Sequence, residues 1–154
     1  MMLTAWRIVQ AHRITSAFKG EGARRYGGRW NHKGIPIVYI AGSLSLAALE
    51  LLVHLESTQI LRTYASIAIE FDDHLCLRLE PSHLPADWTD CPAPDSTRNI
   101  GTAWFNSGDS VILAVPSVIV PVETNYLINP LHSDFEKIKI RGPEQFEYDQ
   151  RLVK

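Results

Sequence analysis

One hundred and fifty-four residues, 45% hydrophobic and 21% charged, suffice for one globular domain and are too apolar for a disordered chain. A chain of this size can bury a sizeable core without disulfide or metal staples. Fifteen basic against 17 acidic side chains, a net charge of −2, argue against a general nucleic-acid coat or a polybasic membrane patch.

The first ten residues carry Arg7 within their apolar stretch and lack a signal-peptide core. Thr4–Val9 reads as a first strand. Residues 12–34 form a polar segment with glycines at 20, 22, 27, 28 and 34, a pattern that predicts a sharply bending loop. Ile35–Ala41 reads as a buried strand. Ser43 or Ser45 then caps a helix reaching about Glu56. The longest apolar stretch, Leu46–Leu55, is broken by Glu50 and His54 and is too short to span a bilayer.

Tyr64–Phe71 alternates and predicts another strand. Residues 72–94, rich in Pro and Asp, read as chain wandering over the surface. Asp95 is expected to cap a second helix that ends at Gly108. Ser110–Val115, Val118–Val122 and Asn125–Ile128 read as three short strands separated by prolines, and Lys137–Arg141 as a last one. No repeat or linker divides residues 1–154, so a single domain is expected. Strands and helices followed by a run of strands argue for an α+β fold. Cys76 and Cys91 stand alone and read as reduced thiols of a cytoplasmic protein.

The first helix carries the most chemical information. At 100° per residue its leucines, Ala48 and Val53 cover nearly the whole circumference, which predicts a buried helix. Ser43, Glu50, His54 and Ser57 share one narrow polar stripe that faces either solvent or a water-lined cleft. In a cleft, Glu50 needs a cation or polar ligand. The preceding loop, Ala23–Asn31 (ARRYGGRWN), supplies candidates. Gly27 and Gly28 let backbone approach a ligand closely. Arg29 can donate a bidentate pair to phosphate or carboxylate. Trp30 offers a flat face or a packing anchor. Tyr39 lies within a buried strand, where its hydroxyl needs a partner. Ser117 and Asn125 are small polar groups in apolar runs, serving either as turn residues or as donors into a pocket.

Familiar phosphate loops fail. Gly20 and Gly22 lack the third glycine of the dinucleotide fingerprint, since Arg25 stands there. Gly22 and Gly27 have Walker spacing, but Gly28 and Arg29 replace the required Lys and Ser or Thr. No HExxH, paired CxxC or G-x-S-x-G occurs, so no metal site is implied.

Trp6-Arg7, Gly28-Arg29-Trp30-Asn31, Tyr39-Ile-Ala, Ala48-Leu49-Glu50 with His54, Val115-Pro116-Ser117 and Asn125-Tyr-Leu-Ile-Asn129-Pro130 together resemble the RES-domain family. Its eponymous Arg, Glu and Ser match Arg29, Glu50 and Ser117. The likeness runs over almost the whole chain in order. The tail follows the pattern only loosely, with Gln150 where proline is expected.

The resemblance implies an α+β fold similar to ADP-ribosyltransferases, with two small packed mixed or antiparallel sheets and flanking helices. It implies a bacterial toxin that depletes NAD, cleaving the nicotinamide–ribose bond by glycohydrolysis or phosphorolysis. NAD is then substrate, with no cofactor. The implied partner is an Xre-type helix-turn-helix antitoxin, which would carry the DNA binding. The sequence leaves homodimer formation open.

Glycosidic cleavage of this kind passes through an oxocarbenium-like transition state, which calls for a nearby anion and a clamp on the diphosphate. Arg29, Tyr39, Glu50 and Ser117 are the expected catalytic residues. Arg29 would grip phosphate or ribose, Tyr39 would sit beside the nicotinamide ribose, and Glu50 would lie under it. Arg7, Gly28, Trp30 and Asn125 are the expected substrate-binding residues. Two alternatives remain at this level. One is transfer of ADP-ribose to a cellular protein. The other is a binding module, either a single-stranded RNA platform of Arg24, Arg25, Tyr26, Arg29 and Trp30 or a non-catalytic interaction domain.

Overall fold

A computed structural model describes all residues 1–154. Seven strands form one sheet: β1 (Met2–Gln10), β2 (Val38–Ala41), β3 (Tyr64–Asp72), β4 (Cys76–Arg78), β5 (Ile112–Pro116), β6 (Thr124–Ile128) and β7 (Lys139–Phe146). Their order is β4-β5-β6-β2-β1-β3-β7. Only β4 and β5 run parallel. The α+β class holds, but in place of the two packed sheets expected there is one hydrogen-bonded sheet, in two halves joined between β2 and β1. β1 pairs with β3 along its whole length, from Met2 opposite Asp72 to Gln10 opposite Tyr64. Between the halves, β1 and β2 share a single pair, Trp6 opposite Ala41.

Alternation along the strands sends successive side chains to opposite faces. Val38, Ile40, Ile112, Ala114, Tyr126 and Ile128 meet in one core with Ala5, Ile69 and Phe71. On the other face Ile37, Leu113, Val115 and Leu127 pack with Trp30 and Trp104. A neighbouring cluster gathers Ile8, Ala41 and Tyr64 beneath Leu46 and Ala47.

The helices are α1 (Glu21–Tyr26), α2 (Leu44–Leu52), α3 (Ser57–Ile60) and α4 (Asp95–Ser107). Ser43 caps α2, accepting from the Leu46 amide at 3.1 Å. The helix stops short of Glu56 because that residue serves the next element. Glu56 and Gln59 form a reciprocal capping box that starts α3. α2 is also less buried than its apolar wheel predicts. Only Leu46 and Ala47 are buried, while Leu49 is 42% and Val53 62% exposed. The short helix lies across the sheet on one stripe and turns the other outward.

Several expected elements differ. The Gly-rich segment holds α1 and a 3-10 turn at Ala11–Ser16. Residues 72–94 hold β4, a three-residue parallel edge strand too short for a periodicity to register. α4 begins with Pro94 as its N-cap, and Asp95 is its first residue, making no capping bond. Gly108 ends it in the left-handed conformation, as expected. Val118–Val122 is not a strand. Ser117 Oγ accepts from the Ile119 and Val120 amides, both at 3.1 Å, and folds the segment into the turn between β5 and β6. β7 runs past Arg141 to Phe146 because a bulge opposite Ile67 absorbs Gly142 and Pro143.

The tail packs against α2. Tyr148 is buried, its hydroxyl donates to the Ala48 carbonyl, and its ring meets Tyr64 and Phe146 edge-on at 5.7 and 5.1 Å.

Candidate active site

A cleft of about 700 Å³ opens where the sheet halves part, within the range of small-molecule sites. Glu50 comes from α2, Tyr39 from β2, Arg7 and Trp6 from β1, and Asn125 from β6. Gly28, Arg29 and Trp30 come from the turn before β2, and Arg98 from α4.

Glu50 faces the cleft rather than bulk solvent. Its Oε1 accepts from Ser117 Oγ at 2.7 Å and from Asn125 Nδ2 at 2.9 Å. Its other oxygen makes no protein hydrogen bond. The carboxylate is therefore aimed by one oxygen and left with the other for a ligand. Ser117 is fully buried. With one donated and two accepted bonds its hydroxyl is saturated. It positions Glu50 and has no capacity to touch a substrate, which corrects the expected catalytic contact. Ser117→Ala should cost about 2 kcal/mol in denaturant unfolding, through two orphaned amides, and lower turnover about tenfold.

The Gly28–Asn31 turn is a two-residue reversal, closed by Gly28 N to Asn31 O at 3.1 Å. A Cβ on Gly28 would lie 2.6 Å from the Tyr39 hydroxyl, so only glycine fits. Tyr39 Oη donates to Asn31 Oδ1 at 2.6 Å and accepts from the Trp30 amide at 3.1 Å. Burial pushes its pKa up, so it stays protonated. The hydroxyl is thus structural, and the expected reactive role reduces to the ring as a cleft wall. Trp30 is 2% exposed and packs in the core, so it is an anchor rather than a stacking face.

Arg29 does not meet Glu50 in an ion pair. Its Nη1 donates to the Trp88 and Asp90 carbonyls at 2.9 and 2.8 Å, and its Nη2 to Cys91 Sγ at 3.3 Å. It fastens the 88–91 loop at the cleft rim. Arg7 Nη1 donates to the Tyr39 carbonyl at 2.9 Å, where β1 and β2 diverge. Burial pushes the Arg7 pKa down to about 10, which leaves it charged at neutral pH. Arg98, on α4, donates from Nε to the Gly28 carbonyl at 3.3 Å and stands 3.8 Å from Asp95. Three guanidinium groups against one carboxylate make the lining electropositive, as a diphosphate requires.

Sequence reasoning missed Arg98, Asn31 and the 91–93 loop. Arg98 looks like an ordinary surface residue three positions after Asp95, and only the packing of α4 on the turn brings it in. Thr97 Oγ1 donates to the Arg29 carbonyl at 2.6 Å, and the His32 amide donates to Thr102 at 3.1 Å. The proposed RNA platform does not assemble. Arg24 is bonded to Glu21, Arg29 is held by the 88–91 loop, and Trp30 is buried.

The family model for the RES domain matches residues 4–149. The chain belongs to the RES-domain family. This RES domain is 43% identical over 153 residues to Toxin Res of Yersinia enterocolitica, covering 99% of each chain. It is 40% identical over 159 residues to the Prs ADP-ribosylating toxin of Sphingobium sp., covering 100% of this chain and 99% of that one. A chain of the M. tuberculosis MbcT–MbcA toxin–antitoxin complex matches the fold with a TM-score of 0.76, at 22% identity, over 99% of the RES domain and 87% of the matched chain. No helix of the RES domain is long and apolar enough to cross a membrane.

Proposed function

We propose that this RES domain is a toxin that acts on NAD and is neutralised by a cognate antitoxin. In this reading it breaks the nicotinamide–ribose bond in the cytoplasm and passes ADP-ribose to water or inorganic phosphate. The observation that carries it is Glu50, clamped through one oxygen and free at the other, in a cleft lined by Arg7, Arg29 and Arg98. The names of its relatives support the toxin class.

The chemistry asks little else of the protein. As the C–N bond breaks, the pair of electrons goes to the pyridinium nitrogen, and nicotinamide leaves neutral without a general acid. Positive charge develops on the ribose C1 and its ring oxygen. The free oxygen of Glu50 stabilises that charge and orients the ribose hydroxyls. Addition of water gives ADP-ribose and a proton, and addition of phosphate gives ADP-ribose 1-phosphate. The arginines hold the diphosphate. The implied antitoxin is of the Xre helix-turn-helix type.

Purified protein incubated with NAD, with and without phosphate, tests the reading through product identification. Intact NAD in both would refute it. Arg29→Ala should raise KM about tenfold or more, as loss of a charge-assisted contact predicts. Unchanged steady-state constants would remove Arg29 from the site.

Transfer to a cellular protein is the second reading, favoured by the ADP-ribosylating name of the Sphingobium relative. Labelled NAD in cell lysate separates the two. A labelled protein band means transfer, and free or phosphorylated ADP-ribose means breakdown.

A further inference from the structure

The segment after β7 packs on the side of α2 turned away from the cleft. At about 100° per residue, Ala48 and Leu52 lie about 160° round the helix from Glu50. They pack in the cluster that holds Tyr64, Phe146, Tyr148 and Val153. Ala47, Glu50 and Leu51 line the cleft. One face of this nine-residue helix thus carries the acid, and the opposite face is covered by the tail.

A helix this short does not hold its own place in water, so its position comes from what grips it. Two grips come from opposite halves of the sheet. Through Glu50 Oε1, α2 is tied to Ser117, just after β5, and to Asn125 on β6. Through the Ala48 carbonyl it is tied to Tyr148, which follows β7 and meets Tyr64 of β3 edge-on. The halves themselves share only the Trp6–Ala41 pair, so α2 bridges a joint that the strands leave narrow. A mid-helix carbonyl ordinarily has its own amide four residues on, so the tyrosine hydroxyl adds location rather than satisfaction. Burial pushes the Tyr148 pKa up to about 12, which keeps the phenol a donor at neutral pH. Asp149 accepts from the Arg151 amide at 2.8 Å and caps the 3-10 turn Gln150–Leu152, after which Val153 returns to the cluster.

We propose that Tyr148 is a positioning residue for the bond-breaking step: its hydroxyl, on the Ala48 carbonyl, fixes how far α2 carries the Glu50 carboxylate into the cleft. The inference rests on the NAD-cleaving reading and deepens it. Tyr148 itself touches no substrate. Without its hydroxyl, α2 is gripped from one half of the sheet only, and the free oxygen of Glu50 drifts from the point where positive charge develops. The loss falls on the transition state, because the arginines carry ground-state binding. kcat therefore falls while KM holds.

Tyr148→Phe removes the hydroxyl and keeps the ring. It should lower kcat for NAD consumption about fivefold and leave KM within about twofold. Tyr64→Phe is the control. It takes a comparable bond, to the Gln59 carbonyl at 2.7 Å, out of the same aromatic cluster, and that bond does not reach α2. Its kcat should stay within about twofold of the parent. In the Glu50→Gln background, Tyr148→Phe should change kcat less than about twofold, since its effect runs through the carboxylate. Every chain is assayed below its own melting transition. An unchanged kcat in Tyr148→Phe, a loss carried by KM, an equal loss in Tyr64→Phe, or an equal loss with Glu50 already replaced would each overturn the proposal. The Asn125 side-chain amide resonance reports the aim of Glu50 without substrate, through its bond to Oε1. It should move in Tyr148→Phe and hold in Tyr64→Phe. NAD consumption with kcat and that resonance both unmoved in Tyr148→Phe sinks the positioning proposal alone. A resonance that moves as expected, in a protein whose parent leaves NAD intact, sinks the NAD-cleaving reading alone.

Discussion

Glu50→Gln is expected to reduce NAD turnover at least ~100-fold, the scale on which removal of one key electrostatic group acts. The substitution is unusually clean here. A glutamine carbonyl oxygen can still accept from Ser117 Oγ and Asn125 Nδ2, the two donors that hold Oε1. What disappears is the negative charge at the free oxygen. The fold should survive, with an unfolding midpoint close to that of the parent. The measurement is steady-state NAD consumption beside a thermal melt. Near-normal turnover in a folded variant would remove Glu50 from the chemistry.

Gly101→Ala is expected to destabilise the domain by about 4 kcal/mol, the upper end for a single substitution. A Cβ at this position would lie 1.8 Å from the Trp30 carbonyl oxygen and 2.8 Å from its carbon. Backbone faces backbone there, so no flexible side chain can move aside. The same contact holds the Gly28–Asn31 turn against α4, and activity should fall with stability. Urea unfolding checks the loss. Gly22→Ala is the control. It sits in α1 with nothing within 4 Å of the added methyl, and should be neutral or stabilising by about 0.5–1 kcal/mol.

How much of this was legible in the sequence depended on how local each signal was. The polar stripe of α2 named Glu50 because helix periodicity is a local property, yet it left solvent and cleft open. Only tertiary packing chose between them. The Gly-Gly-Arg-Trp run announced a sharp turn, but nothing local said that the Trp30 ring goes to the core and the Arg29 side chain to the 88–91 carbonyls. The expected substrate contact of Ser117 is replaced by a bond to Glu50, because saturation of a hydroxyl depends on amides and a carboxylate from elsewhere. Val118–Val122 has strand composition and folds as a turn, since one serine oxygen satisfies two of its amides. Arg98 and Tyr148 carried no signal. They reach the site region through long-range contacts of α4 and the tail, which no window along the chain contains.

The lone Trp6–Ala41 pair between the sheet halves gives the protein an economical way to align distant chemistry. Arg7 arrives from one half, and Glu50, through Ser117 and Asn125, is registered to the other. The span between Arg7 and Glu50 is therefore fixed by strand registry in mid-sheet, not by the length of any surface loop. Insertions in the outer connections should leave that span intact. A one-residue slip of β1 would move Arg7 to the opposite surface and disarm the enzyme at a stroke.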